Sequence, residues 1–184
     1  MLLFVLLLAI GGSSAPWAPW RFIWKIVPIL NKVVVPDLNG NWVGTTSSNW
    51  PRIKVLNEFA ESKEKMKLDE IEETQLQIDE VEMKIKQSLF KITFESNLKR
   101  TGSSSHPISI NLNKNHQTDN FQLVYVYNQT TPLPLKTDES DHAGAAILTF
   151  NTDVPNKLDG PYWTKRSWQQ GLNTAGMINI ERKK

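Results

Sequence analysis

Beyond Pro36 the apolar residues of the chain fall on every second position. In FQLVYVYN, Phe121, Leu123, Tyr125 and Tyr127 share one phase, and Gln122, Val124 and Val126 take the other. Phe90, Ile92 and Phe94 alternate with polar residues in LFKITFES, as do Ile108, Ile110 and Leu112 in HPISINLN. A period of two marks a strand with one buried face. GNWVGTTSS, GAAILTFN, LDGPYWTK and GMINIERK complete the set. Turn-forming residues separate these runs at Gly102 to Ser105, Asn113 to Asn120, Thr131 to Asp141, Asn151 to Asn156 and Gln169 to Asn173. LQIDEVEMKIKQ reads two ways. Ile71, Ile78, Val81, Ile85 and Leu89 have helical spacings. As a strand, Leu76 and Ile78 alternate, a one-residue slip follows, and Val81, Met83 and Ile85 alternate again, as across a β-bulge. The strand is the preferred reading. IKVLNEFAESKEKMKLDEIEE, ahead of it, is charged and ambiguous. Strands without intervening helices pair antiparallel, and about eight close most economically into an up-and-down barrel. Such a barrel is wide enough to hold one small ligand. The expected class is therefore mainly β: an antiparallel barrel of about eight strands, with an N-terminal membrane helix.

That helix is expected from a different pattern. MLLFVLLLAIGGSSAPWAPW carries no charged side chain. Its apolar run, Leu2 to Ile10, is too short to span a bilayer, but the charge-free stretch reaches the roughly 20 residues a spanning helix needs. Trp17, Trp20 and Trp24 fall where an interfacial aromatic belt belongs. Arg21, Lys25 and Lys32 follow, and such cations stay in the cytoplasm. A signal peptide cleaved after Ala15 competes with this reading. Against it stand an n-region without Lys or Arg and the apolar, cationic WRFIWKIVPILNKVVV that would begin the mature chain. Pro16, Pro19 and Pro28 predict that any helix here is broken or ends early. The expected division is residues 1–35 as a membrane anchor of one span with a cationic juxtamembrane segment, and residues 36–184 as a cytoplasmic ligand-binding barrel.

Composition narrows the function by exclusion. The chain has 184 residues and a net charge of +2, far from the basic excess of a protein that coats duplex DNA or RNA. It has no cysteine, so it offers no disulfide framework, zinc–thiolate site or thiol nucleophile. No phosphate-binding loop, G-x-S-x-G, H-E-x-x-H or EF-hand loop is present. His106, His116 and His142 lie apart beside turn residues, and Asp138, Glu139, Asp141 and His142 lack metal-ligand spacing. The carboxylates of EIEE and DEVE read as solvated faces. The NQT at Asn128 is a glycosylation sequon, idle in a cytoplasmic domain. No catalytic residue, metal or cofactor is expected, and the chain is not read as an enzyme.

Two stretches carry chemistry. In LNGNWVGTTSSNWP, a strand that points Trp42 inward also points in Gly44, Thr46 and Ser48, leaving Val43, Thr45 and Ser47 outside. One large ring followed by small and hydroxylic residues suits a lined cavity with Trp42 at its floor, or a packed barrel with Trp42 as its plug. In DGPYWTKRSWQQG, Tyr162, Trp163 and Trp168 are interleaved with Lys165 and Arg166. Aromatic rings stack on bases and arginine forks onto phosphate oxygens, so the pair suits a compact nucleotide. A hairpin with exposed cations is the plainer alternative.

The stretches PDLNGNWVGTTSSNW, KIKQSLFKITFES, SSSHPISINL, LVYVYNQ, DHAGAAILTF and LDGPYWTKRSWQQGLNTAGMINIERK, in this order from Pro36 onward, resemble the β-barrel effectors of bacterial CBASS anti-phage systems. That family is also described as the SMODS-associating two-transmembrane, β-strand-rich effector domain. The L-x-G-x-W-x-G opening and the L-x-G-x-Y-W-T-x-R close are its more specific marks here. The resemblance implies transmembrane helices followed by a cytoplasmic eight-stranded barrel at the bacterial inner membrane. It implies a cyclic dinucleotide ligand made by a CD-NTase, ligand-promoted homo-oligomerisation, and disruption of the inner membrane. It also tilts the segment in the 60s to 80s toward strand. The chain departs from the pattern in offering one span where the family has two. For such a ligand the expected contacts are Arg166 and Lys165 to phosphate, Tyr162 with Tyr125 or Tyr127 to base or ribose, Thr46 and Ser48 as donors, and Trp42 as floor. The alternative is a secreted or anchored lipocalin-like binder of a small apolar ligand, suggested by the Gly-x-Trp of Gly40 to Trp42.

Overall fold

The computed structural model describes residues 10–62, 68–115, 117–134, 139–151, 154 and 156–183. Eight antiparallel strands follow one another around a closed barrel: β1 Gly40–Ser48, β2 Gln77–Gln87, β3 Ile92–Leu98, β4 Ser103–Lys114, β5 Phe121–Thr130, β6 Asp141–Phe150, β7 Lys157–Thr164 and β8 Ala175–Arg182. β1 pairs with β2 on one side and with β8 on the other, so no edge strand remains. Period-two patterning explains the inner face. Val81, Met83 and Ile85 of β2 point in, with Glu80, Glu82, Lys84 and Lys86 exposed between them. Phe121, Leu123, Tyr125 and Tyr127 of β5 are all buried, on one phase as the sequence predicts.

Two details of register differ from the sequence reading. β2 runs against β1 without a slip, from Gly40↔Ile85 to Ser48↔Gln77. Unbroken alternation therefore turns Ile78 outward, where it is exposed, and sets Asp79 on the inner face. The irregularity lies in β4 instead, between Pro107 and Ser109. Pro107 has no N–H to give a ladder, and a bulge is where a strand tolerates one. The bulge throws Ile108 out to solvent and leaves Ile110 and Leu112 packed against the core.

Short helices flank the barrel. α1 (Pro19–Ile26) and α2 (Leu30–Val33) precede it, and α3 (Trp50–Glu61) and α4 (Leu68–Glu73) lie in the β1–β2 connection. The preferred strand reading of LQIDEVEMKIKQ holds, since β2 runs Gln77–Gln87; the tilt toward strand is corrected only ahead of it, where the described residues are helical over Trp50–Glu61 and Leu68–Glu73. Pro51 sits in the first turn of α3, where its missing N–H costs nothing.

One end of the barrel is sealed. Trp42 and Leu38 are fully buried there, and the Trp42 indole donates to the Leu38 carbonyl at 3.0 Å. Arg182 stacks on the Trp42 ring at 4.6 Å and donates to the carbonyls of Asn39 and Asp37. Asn39 and Gln87 lock together: the Gln87 N–H donates to Asn39 Oδ1 at 2.7 Å, and Asn39 Nδ2 donates back to the Gln87 carbonyl at 2.8 Å. Residues ahead of β1 complete the seal. Trp20 and Trp24 pack edge to face at 5.5 Å, and their indoles donate to the carbonyls of Ser13 and Val35. Of the three tryptophans expected in an interfacial belt, these two are therefore spent on internal packing and only Trp17 is exposed. Among the described residues no helix is long and apolar enough to cross a membrane. Prolines at 16, 19 and 28 divide the part beyond Ile10 into short pieces, while Leu2 to Ala9 lie outside the described residues.

Candidate functional site

The opposite end, where the β1–β2, β3–β4, β5–β6 and β7–β8 connections emerge, is hollow. Its depth is aromatic and apolar. Val81, Met83, Phe94, Tyr125, Tyr127 and Ile178 line a small inner chamber of about 50 Å³. Tyr125 stands edge-on to Phe94 at 4.7 Å and lies 5.9 Å from Tyr127. Room for these rings comes from β6. Tyr127 is in register with Gly144 and Tyr125 with Ala146. A Cβ on Gly144 would lie 2.4 Å from the Tyr127 ring and hydroxyl, so glycine is what lets that ring lie across the strand. Burial pushes the phenols of both Tyr125 and Tyr127 well above the usual tyrosine range.

Above the chamber the barrel opens into a polar mouth of about 340 Å³, within the range of small-molecule sites. Thr46, Leu98, Gln129 and Tyr162 line both spaces, which makes them one continuous hollow. Hydroxyls are dense at the rim: Ser103 and Thr131 pair at 2.9 Å, and so do Thr164 and Thr174. Tyr162 has its phenol raised by burial, against the lowering effect of a hydrogen bond with the Ser48 hydroxyl. Two guanidinium groups face the mouth. Arg166 stacks over the Trp50 ring at 4.3 Å. Arg100 donates through Nε and Nη2 to the two carboxylate oxygens of Asp79, and Asp79 Oδ2 also accepts from Gln77 Nε2 at 2.8 Å. Asp79 is 7% exposed, while the Arg100 side chain is 52% exposed.

The expected site residues divide accordingly. Thr46, Ser48, Tyr125, Tyr127, Tyr162 and Arg166 all line the hollow. Lys165 does not: its side chain is exposed, and its N–H donates to the Ala143 carbonyl at 2.7 Å. Nor does Trp42, which plugs the sealed end and is no floor to the chamber. Trp163 and Trp168 are also outside, each about half exposed. The two tryptophans that bracket the hydroxyl run thus serve opposite ends, Trp42 closing one and Trp50 bracing Arg166 at the other.

Sequence reasoning missed Asp79, Arg100, Gln77, Gln129 and Trp50. Asp79 did leave a signal. Counting back by twos from Ile85 through Met83 and Val81 puts a carboxylate on the apolar phase of the strand. Arg100 sits in a hairpin turn and left none.

Comparison with known proteins agrees with this geometry. Residues 62–182 match the family model described as "Cap15, cyclic dinucleotide receptor domain". The chain is also 28% identical over 167 residues to "CD-NTase-associated protein 15" of Escherichia albertii, covering 88% of this chain and 71% of that one. The chain belongs to the Cap15 cyclic dinucleotide receptor domain family. The matched stretch begins after β1, although β1 closes the barrel between β2 and β8.

Proposed function

We propose that this member of the Cap15 receptor family is a CBASS anti-phage effector whose barrel takes up a cyclic dinucleotide made by a CD-NTase. The observation that carries the reading is the layering of the open end, with phenol rings below and two guanidinium groups with paired hydroxyls above. A cyclic dinucleotide has the same layering: π-faced bases that stack on rings, and phosphates that accept from arginine. The family match and the name of the Escherichia albertii relative support the same ligand class. The polar rim and the family match favour it over a lipocalin-like binder of an apolar ligand. The barrel acts as a receptor and not as a catalyst.

On this reading the signal passes from the mouth to the membrane. The segment ahead of β1 enters at the sealed end, so the mouth faces away from any membrane to which residues 1–35 attach the barrel. At the bacterial inner membrane, ligand binding shifts the protein toward a homo-oligomer only if the assembled form binds it more tightly. Confinement to the membrane raises the local concentration that assembly needs. Disruption of the membrane by the assembled N-termini is the output.

The test is a thermal-shift series of the full chain with cyclic di-AMP, cyclic di-GMP and cyclic GMP–AMP. A ligand at about a hundred times its dissociation constant, binding only the folded state, adds roughly 2.7 kcal/mol. No shift with any cyclic dinucleotide contradicts the reading. Fractionation of expressing cells checks the membrane step, which fails if the intact chain stays wholly in the soluble fraction.

A further inference from the structure

The helix ahead of the barrel is apolar on two opposite sides. In α1 the indoles of Trp20 and Trp24 are buried at the sealed end, where Ile10, Leu30 and Leu89 pack with them. At 3.6 residues per turn, Phe22 and Ile26 fall on the face turned away from those rings. They are 65% and 63% exposed. A helix that is apolar all round is ordinarily covered all round. The outward face has apolar neighbours. Trp17, Ile29 and Val33 are exposed before and after it in the chain, and so is Phe90 in the β2–β3 turn, next to Leu89. Of the twenty large apolar side chains exposed among the described residues, eight lie between Trp17 and Val34. Scattered exposed apolar residues need no explanation, but such a concentration marks a surface that something else covers.

The chemistry beside the patch selects the cover. No carboxylate occurs ahead of Asp37, and Asp37 is itself engaged by Arg21 at 2.7 Å. Lys25, Lys32 and Lys91 are exposed, next in sequence to Ile26, Val33 and Phe90. Apolar side chains interleaved with lysine fit an anionic lipid surface, which offers acyl chains below and phosphates above. The uncharged apolar run Leu2 to Ile10 joins the chain at this same end, since Ile10 packs with the buried indoles. The segment is also bonded firmly to the barrel. The Trp20 and Trp24 indoles donate to the carbonyls of Ser13 and Val35, the Leu89 N–H donates to the Gly11 carbonyl at 2.9 Å, and Arg182 of β8 donates to the Asp37 carbonyl at 2.6 Å. Whatever holds α1 therefore holds the barrel.

We propose that the outward face of α1, with the exposed apolar residues that flank it, lies in the interfacial layer of an anionic bilayer and seats the barrel upright on its sealed end. The proposal rests on the membrane attachment of residues 1–35 and adds to it a rigid seat. The barrel does not swing on a loose tether, and its mouth is held toward solution.

The chain has no cysteine, so one introduced cysteine carries a nitroxide label at one known place. The full chain is reconstituted with vesicles of phosphatidylethanolamine and phosphatidylglycerol. Labels at Phe22→Cys, Ile26→Cys and Ile29→Cys are read for collision with oxygen and with a water-soluble nickel chelate. Trp168→Cys, an exposed apolar position in the β7–β8 connection at the mouth, is the control. All four side chains are exposed, so thermal melting should match the parent chain. The three N-terminal labels should lie roughly 5–10 Å into the boundary between headgroups and acyl chains, and the label at 168 should read as aqueous. Exchanging phosphatidylglycerol for phosphatidylcholine should raise nickel access to the N-terminal labels about twofold or more, and unchanged access overturns the choice of an anionic surface. If the chain fails to sediment with vesicles, the membrane reading falls and the seat with it. If it sediments while the N-terminal labels read as aqueous, the seat alone is overturned. Labels shielded from both quenchers and broadened by spin–spin coupling give the face to a second copy of the chain and overturn the seat likewise.

Discussion

The chain has three tyrosines, and all of them line the hollow. Tyrosine ionisation therefore reports on the site and on nothing else. In the unfolded chain each phenol ionises near pH 10. In the barrel, burial raises all three, Tyr125 and Tyr127 most strongly. The native state thus keeps protons that the unfolded state releases. The resulting stability is complete below about pH 10 and is lost as pH rises beyond it. Each phenol that stays protonated only in the fold costs about 1.4 kcal/mol per pH unit in that range. Tyr125 and Tyr127 together give about 2.7 kcal/mol per unit, and Tyr162 adds to the slope up to its own raised value. Against a typical domain stability of about 5–15 kcal/mol, that slope is large. The assay is urea unfolding at stepped pH, read by tryptophan fluorescence and by tyrosinate absorbance. The two probes should move together, and Tyr125→Phe/Tyr127→Phe should remove most of the slope. Tyrosinate that develops near pH 10 while the fold stays intact would show that water reaches the rings freely, and the burial of Tyr125 and Tyr127 would be refuted.

Three further outcomes follow from the geometry. Trp42→Leu should destabilise the barrel by about 3 kcal/mol or more, through lost packing, the lost indole bond to Leu38 and the lost stacking of Arg182; ligand affinity of the folded protein should not change, and a selective loss of affinity by calorimetry would return Trp42 to the site. Gly144→Ala should cost about 1–3 kcal/mol in denaturant melts by driving a methyl group into the Tyr127 ring, and a neutral result would show that the ring is not held there. Arg166→Ala should weaken cyclic dinucleotide binding about tenfold or more while Lys165→Ala leaves it nearly unchanged, and the reverse order in a calorimetric titration would contradict the placement of these two cations.

How much of this was legible in the sequence depended on whether local pattern and tertiary position agreed. β5 was plain, because its aromatic phase and its buried phase coincide. The inward set of Trp42, Thr46 and Ser48 was equally plain, since period two fixes it once one member is assigned. β2 was read with a slip because Ile78 is apolar and Asp79 is not. The fold reverses that preference, since Arg100 and Gln77 compensate a buried carboxylate. The bulge was sought where hydrophobicity skipped and occurs where Pro107 cannot bond. Composition located Arg166 and Lys165 together, but adjacent residues leaving a strand end diverge, and only one reaches the hollow. The pairing of Arg100 with Asp79 joins residues 21 apart in the chain, which no local window contains. The polarity of the barrel, sealed at Trp42 and open at Trp50, was not legible either, because both residues look alike in a one-dimensional pattern.

The central claim is that ligand enters the end lined by Tyr162, Arg100 and Arg166, and it is tested most directly by hydrogen exchange of the full chain with and without a bound cyclic dinucleotide. Protection should concentrate on residues 98–103, 129–131 and 162–174, with residues 36–42 at the sealed end unchanged. Protection confined to the sealed end, or spread along the outer strand faces with the mouth unaffected, would contradict it.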